Sequence, residues 1–110
     1  MKLSIIIPCY NEKETIARLI SLVKESPVEQ KEIILVDDCS NDGTSDLIRT
    51  RIENEVDRVI YHSKNMGKGA AINSALKYIT GDMVIIQDAD LEYDPQEYPK
   101  LIAPIIDGKA

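Results

Sequence analysis

Four short aliphatic runs, Leu3 to Ile7, Ile33 to Val36, Val59 to Tyr61 and Met83 to Ile86, recur along the chain. Runs of this length bounded by turn residues are the pattern of buried strands, and the last is expected to be covered on both faces. The segments between them carry apolar residues at helical spacing: Ile16, Leu19, Ile20 and Val23, then Leu47, Ile48 and Ile52, then Ala70, Ala71, Ala75, Leu76 and Ile79. Strands alternating with helices imply a parallel sheet joined by right-handed crossovers. The expected order is βαβαβαβ with a final helix over 96–106, kinked or shortened by Pro99 and Pro104, which lack backbone donors. The fold class is α/β, a mainly parallel sheet flanked by helices.

Local signals set the boundaries. Pro8 cannot donate to a central ladder and is expected to stop the first strand. Asn11 with Glu14 resembles a capping box for the first helix, and Ser26-Pro27 ends it. Gly81 is placed as the C-terminal stop of the third helix. Asp94, Pro95 and Glu97 form an N-cap, first-turn proline and capping-box acid for the last one.

Composition narrows the function classes. The 110 residues make one compact domain, 1–110, and 44% are hydrophobic although Phe and Trp are absent. A net charge of -6 argues against a general nucleic-acid or anionic-membrane surface, so any phosphate must be held locally. The apolar run after Lys2 is too short for a signal peptide, which favours a cytoplasmic protein. Cys9 and Cys39 match no metal spacing and fit reduced, partly buried thiols.

In a parallel sheet every strand's carboxyl end faces one edge, where ligands of open α/β proteins bind. Pro8 to Glu12, Asp37 to Thr44, Asn65 to Gly69 and Asp88 to Glu92 therefore converge. Asp88 and Asp90, two apart on extended chain, point the same way and repel unless a cation lies between them. Asp37 is equally a turn acid that caps or hydrogen-bonds the loop or a ligand group, whereas Asp38 is the better ligand candidate, able to accept from a nucleobase with Tyr10 against the base face. Gly67-Lys68-Gly69 opens a helix with amides, a dipole end and a cation, which suits phosphate. A diphosphate bridging Lys68 and a cation at Asp88 and Asp90 satisfies all three, so the expected ligand is a nucleoside diphosphate.

Ile-Ile-Pro-Cys-Tyr-Asn-Glu, Val-Asp-Asp-Cys-Ser-Asn-Asp-Gly-Thr, Asn-Met-Gly-Lys-Gly and Gln-Asp-Ala-Asp-Leu-Glu-Tyr-Asp-Pro, in this order, resemble the family 2 glycosyltransferases. The last motif most resembles the polyprenyl-phosphate sugar synthases of the dolichyl-phosphate mannose synthase type. The resemblance implies a Rossmann-like GT-A fold, a UDP- or GDP-hexose donor, a polyprenyl phosphate acceptor and a Mg or Mn ion at the Asp-x-Asp motif. Carried over, Pro8, Tyr10, Glu12, Val36 and Asp38 would surround the nucleoside, and Asp88, Ala89, Asp90 and Glu92 would hold diphosphate and metal. Asp88 and Asp90 would be the catalytic pair. The position of Glu92 is often Gln in the mannose synthases, which leaves sugar and base open. Members of the family continue past this point, so the chain is expected to be the donor-binding part of a longer enzyme. It would touch the cytoplasmic face of a membrane only through the remainder, and would self-associate when isolated. A phospho-receiver signalling module and a non-catalytic nucleotide-sugar sensor are the alternatives.

Overall fold

The structure, a computed structural model, describes residues 2–89 and Pro95. The strands are β1 (Leu3–Cys9), β2 (Lys31–Asp37), β3 (Arg58–Tyr61) and β4 (Met83–Ile86). The helices are α1 (Ile16–Lys24), α2 (Thr44–Leu47) and α3 (Lys68–Leu76). After α2 the chain continues through a π-helical turn, Ile48–Ile52, and a single tight turn, Glu53–Glu55. All strand pairs are parallel, in the order β3-β2-β1-β4. This order rules out the receiver alternative, in which β1 lies between β2 and β3. The helix expected over 96–106, with its Asp94 cap, lies outside the described residues.

Strand alternation sorts the core into two layers. Leu3, Ile5, Ile7 and Cys9 of β1, with Ile33 and Leu35 of β2, pack against Ile16, Leu19, Ile20 and Val23 of α1 and Ile48 and Ile52 beyond α2. Ile6, Ile34 and Val36 pack instead against Ala71 and Ala75 of α3. Alanines on that face let α3 lie close to the sheet. Right-handed crossovers explain the split: the chain moves outward from β1 through β2 to β3, then back past β1 to β4, so α3 must cover the opposite face. β4 is not fully covered, since Val84 is 39% exposed among the described residues.

Three boundary expectations are corrected. Pro8 lies inside β1, in register with Val36. Leu3 donates to Gln30 and Cys9 accepts from Asp38 on the β2 side, whereas Ile6 accepts from Gln87 on the β4 side. By that alternation the donor that Pro8 lacks would face β4, and β1–β4 pairing ends at Ile6 and Ile86. The proline thus ends one ladder and spares the other. Asn11 caps nothing: it adopts a left-handed φ of 53° and exchanges hydrogen bonds with Asn41, at 3.0 Å from its amide and 2.8 Å to its carbonyl. Thr15 holds the N-cap position of α1 without a side-chain cap.

Gly81 is not the stop of α3, which ends at Leu76. Its role is close approach. A Cβ there would fall 2.5 Å from Ser4 Oγ, 2.7 Å from the Lys2 carbonyl oxygen and 2.9 Å from the Ser4 amide nitrogen. Beside it, at the amino end of the sheet, Glu32 is buried and accepts from Ser4 Oγ at 2.6 Å, the Thr80 amide at 2.6 Å and the Thr80 hydroxyl at 2.8 Å. Burial by itself would raise the Glu32 carboxyl. The bonds from Ser4, Thr80 and Lys2 outweigh burial and hold it down at about 2.

Two outcomes are expected. Gly81→Ala should cost about 1–3 kcal/mol in urea unfolding, because backbone as well as a side chain must shift to admit the methyl. Glu32 has a folded value below its ordinary 4.5, so its contribution is complete above that pH and is lost as pH falls toward 2. Chemical denaturation across that window should show a steep loss of stability in the native protein and a shallower one in Glu32→Gln.

Candidate functional site

The ends of β1 and β4 flank the point where strand order reverses, the crevice in which doubly wound sheets take ligands. A cavity of about 270 Å³ lies there, lined by Pro8, Cys9, Tyr10, Glu12, Asp38, Lys68, Ala71, Asp88 and Ala89. The end of the β1–β4 ladder at Pro8 opens it, and the loops after β1, β2 and β4 and the start of α3 form its walls. Of the expected nucleoside and diphosphate residues, Pro8, Tyr10, Glu12, Asp38, Lys68, Asp88 and Ala89 all line it. Val36 does not: it is fully buried in the layer under α3. Asp90 and Glu92 lie outside the described residues.

Electrostatics give the cavity an unbalanced character. Among the described residues three carboxylates, Glu12, Asp38 and Asp88, face one ammonium, Lys68. The Lys68 ammonium sits 2.5 Å from Asp88 Oδ1, so the groups expected to serve phosphate and metal are paired with each other. Tyr10, at 42% exposure, leaves its ring accessible at the rim. Thr15 Oγ1 donates to the Ala89 carbonyl at 2.6 Å and lies 3.0 Å from Glu12 Oε2, tying the approach to α1 to the loop after β4. Cys9, on the wall, is no nucleophile. Burial first, then the carboxylates of Asp37 and Glu12, push its thiol up to about 12.

The acidic pair at the end of β2 divides its work by strand alternation. Asp37 turns toward the α2 side, where its Oδ1 accepts from Ser40 Oγ at 2.6 Å and from the Ser40 amide at 3.3 Å, and its Oδ2 accepts from Ser45. Asp38 turns toward α3. Its Oδ1 accepts from His62 Nδ1 and the Met66 amide, both at 2.8 Å, and its Oδ2 accepts from the Gly67 amide at 2.9 Å. Burial opposes the charge on Asp38, but these three donors hold its carboxyl below the ordinary value. Gly67 reaches it with φ 95°, a backbone region that favours glycine. The Met66 and Gly67 amides therefore serve a protein carboxylate, not a phosphate.

Cys9 was expected at this edge within the cluster from Pro8 to Glu12, whereas Ala71 and His62 escaped the sequence reading. A helix alanine carries no local mark of a cavity wall, and His62 gains meaning only when β3 sets it beside Asp38. Among the described residues no three carboxylate, imidazole or thiol groups gather closely enough to hold a metal. The chemistry of Asp88, a hard oxygen donor on an acid-rich wall, suits a divalent cation.

A parallel sheet in the order 3-2-1-4 with an acidic cavity at its switch point is a Rossmann-like α/β architecture of the GT-A type. Residues 4–110 match Glycosyl transferase family 2, and the chain belongs to that family. It is similar to S. aureus TarS 1-349, at 36% identity over 98% of this chain and 33% of that one, with a TM-score of 0.75. TarS 1-349 has also been solved with UDP-GlcNAc. The mannosyltransferase PcManGT from Pyrobaculum calidifontis, in complex with GDP-Man and Mn2+, is 29% identical over 87% of this chain and 29% of its own, with a TM-score of 0.74. Glucosyl-3-phosphoglycerate synthase from Mycobacterium tuberculosis, solved with Mn2+ and UDP, is 26% identical over 94% and 39%, with a TM-score of 0.74. The chain thus spans well under half the length of these structures.

The two acids on the cavity wall should respond differently to neutralisation. Asp38→Asn turns an amide NH2 toward groups that themselves donate, and should cost about 2 kcal/mol in urea unfolding. Asp88→Asn, at a partly exposed ion pair, should cost less than about 1 kcal/mol.

Proposed function

We propose that this chain is the donor-binding part of a metal-dependent inverting glycosyltransferase that moves a hexose from a UDP- or GDP-sugar to a polyprenyl phosphate. The observation that carries the reading is the cavity at the switch point, which joins an exposed aromatic ring, an acceptor-only carboxylate and a cation paired with an acid. Family membership supports glycosyl transfer, and the similar structures solved with UDP-GlcNAc and GDP-Man support a nucleotide-sugar donor.

In this reading Tyr10 lies against the base, Asp38 accepts an N–H from it, and Pro8 and Glu12 bound the nucleoside. Asp88, with Asp90 and Glu92, would hold Mg or Mn. When bound, such an ion stabilises the negative charge that develops on the leaving diphosphate. With a cation held at Asp88, the Lys68 ammonium would give up that carboxylate and meet a phosphate oxygen instead. Lys68 thereby acts as a stand-in charge, neutralising Asp88 before the ligands arrive. A phosphate acceptor is already anionic and needs no proton removed. The acceptor reading rests on the motif resemblance around Asp88 to Pro95. The acceptor's lipid character places the intact protein at the cytoplasmic face of a membrane.

Calorimetric titration of the intact protein with UDP- and GDP-sugars, with and without Mn, tests the donor and the metal together. Binding of one class is expected, and it should weaken strongly when the metal is chelated. Undiminished binding in chelator would refute the metal role, and radiolabelled transfer to an acceptor other than polyprenyl phosphate would replace the acceptor. Lys68→Ala should have opposite effects on the two ligands. Mn alone should bind up to about five-fold more tightly, because Asp88 has lost its competing ion pair, while nucleoside diphosphate binds more weakly. Loss of both affinities together would place Lys68 elsewhere.

A further inference from the structure

Asp38 and His62 leave β2 and β3 on the same side of the sheet and are held there by main chain: the Asp38 amide donates to the Cys9 carbonyl and the His62 amide to the Asp37 carbonyl, each at 2.9 Å. Their side chains meet with 7% and 6% of their surface exposed, His62 and Asp38 respectively. His62 Nδ1 lies 2.8 Å from Asp38 Oδ1, and His62 Nε2 lies 2.8 Å from Ser74 Oγ on α3. An ionised carboxylate only accepts, so Nδ1 carries the proton. In the neutral ring Nε2 then accepts from the Ser74 hydroxyl. The chain of bonds runs from α3 through the imidazole to the carboxylate.

A carboxylate offers about four acceptor positions. His62 and the Met66 amide occupy two on Oδ1, and the Gly67 amide occupies one on Oδ2. Among the described residues one position on Oδ2 is left, and Asp38 lines the cavity whereas His62 does not. We infer that His62 is a positioning residue for base recognition: by holding Oδ1 it sets the remaining Oδ2 acceptor toward the cavity, where it takes a ring N–H such as that of uracil or guanine. The inference rests on the nucleoside diphosphate reading given above. Cytosine and adenine present a ring-nitrogen lone pair at the equivalent edge and meet a negative acceptor, so the same device rejects them. His62 never touches the ligand. It selects through the carboxylate.

Two substitutions separate the two ends of the imidazole. In His62→Asn the amide nitrogen stands near the Nδ1 position, which keeps the bond to Asp38 and gives up Ser74. In His62→Gln it reaches the Nε2 position, which keeps Ser74 and gives up Asp38. The intact protein is titrated with UDP, GDP, 3-methyl-UDP and 1-methyl-GDP, the methylated pair lacking the ring N–H, and with inorganic pyrophosphate as control. The native protein is expected to favour its diphosphate over the methylated partner by about 10- to 100-fold. His62→Asn should retain that ratio and His62→Gln should lose most of it, with pyrophosphate affinity unchanged in both. Equal losses in the two variants, or full discrimination in His62→Gln, would overturn the inference and leave the nucleotide reading standing. Failure of the native protein to bind either diphosphate would overturn both. Without any variant, the Nδ1 proton resonance of His62 should shift on adding the parent diphosphate and not on adding its methylated form, and an unmoved resonance would likewise overturn it.

Discussion

The described part of this chain is organised around the pairing of β1 with a neighbour on each side. Its backbone groups turn alternately toward β2 and β4, and its side chains turn alternately toward α1 and α3. A single extended segment therefore fixes the positions of both flanking strands and both helix layers. All seven of its residues are buried, which gives the strand no route to solvent for an unpaired amide or carbonyl. Where the pairing on one side stops, at Pro8, the fold stops being a sheet and becomes a site.

The two ends of the sheet spend their polar groups differently. At the amino end, Lys2, Ser4, Glu32 and Thr80 satisfy one another around a buried carboxylate. At the carboxyl end, the carboxylates of Asp37 and Asp38 hold the loops in place, whereas Asp88 pairs with the exposed ammonium of Lys68. Asp38 belongs to both categories, since it anchors the loop before α3 and also lines the cavity. Loop anchoring and cavity lining coincide at Asp38.

Much of this was legible because it depends on local periodicity and on topology. Ile16, Leu19, Ile20 and Val23 announced the buried face of α1, and four strands with three crossovers required the polar loops to share an edge. That requirement alone brought Tyr10, Asp38, Lys68 and Asp88 to one cavity. The failures concern contacts between residues distant in sequence. Pro8 was assigned by what proline forbids, without regard to which neighbour its missing donor faces. Asn11 matched a helix cap locally but was claimed by Asn41 across the loops, and Gly81 looked like a helix stop although the constraint on it comes from Lys2 and Ser4. His62 carried no signal at all until β3 was in register with β2.

The place where β1 and β4 part has a kinetic meaning. A crevice made by prising two paired strands apart would sacrifice ladder hydrogen bonds whenever a ligand entered, and the closed form would compete with the bound one. Here the pyrrolidine ring of Pro8 carries no amide hydrogen to seek a partner across the gap, so the opening is written into covalent structure. Arrival at the strand ends then requires no melting of the sheet.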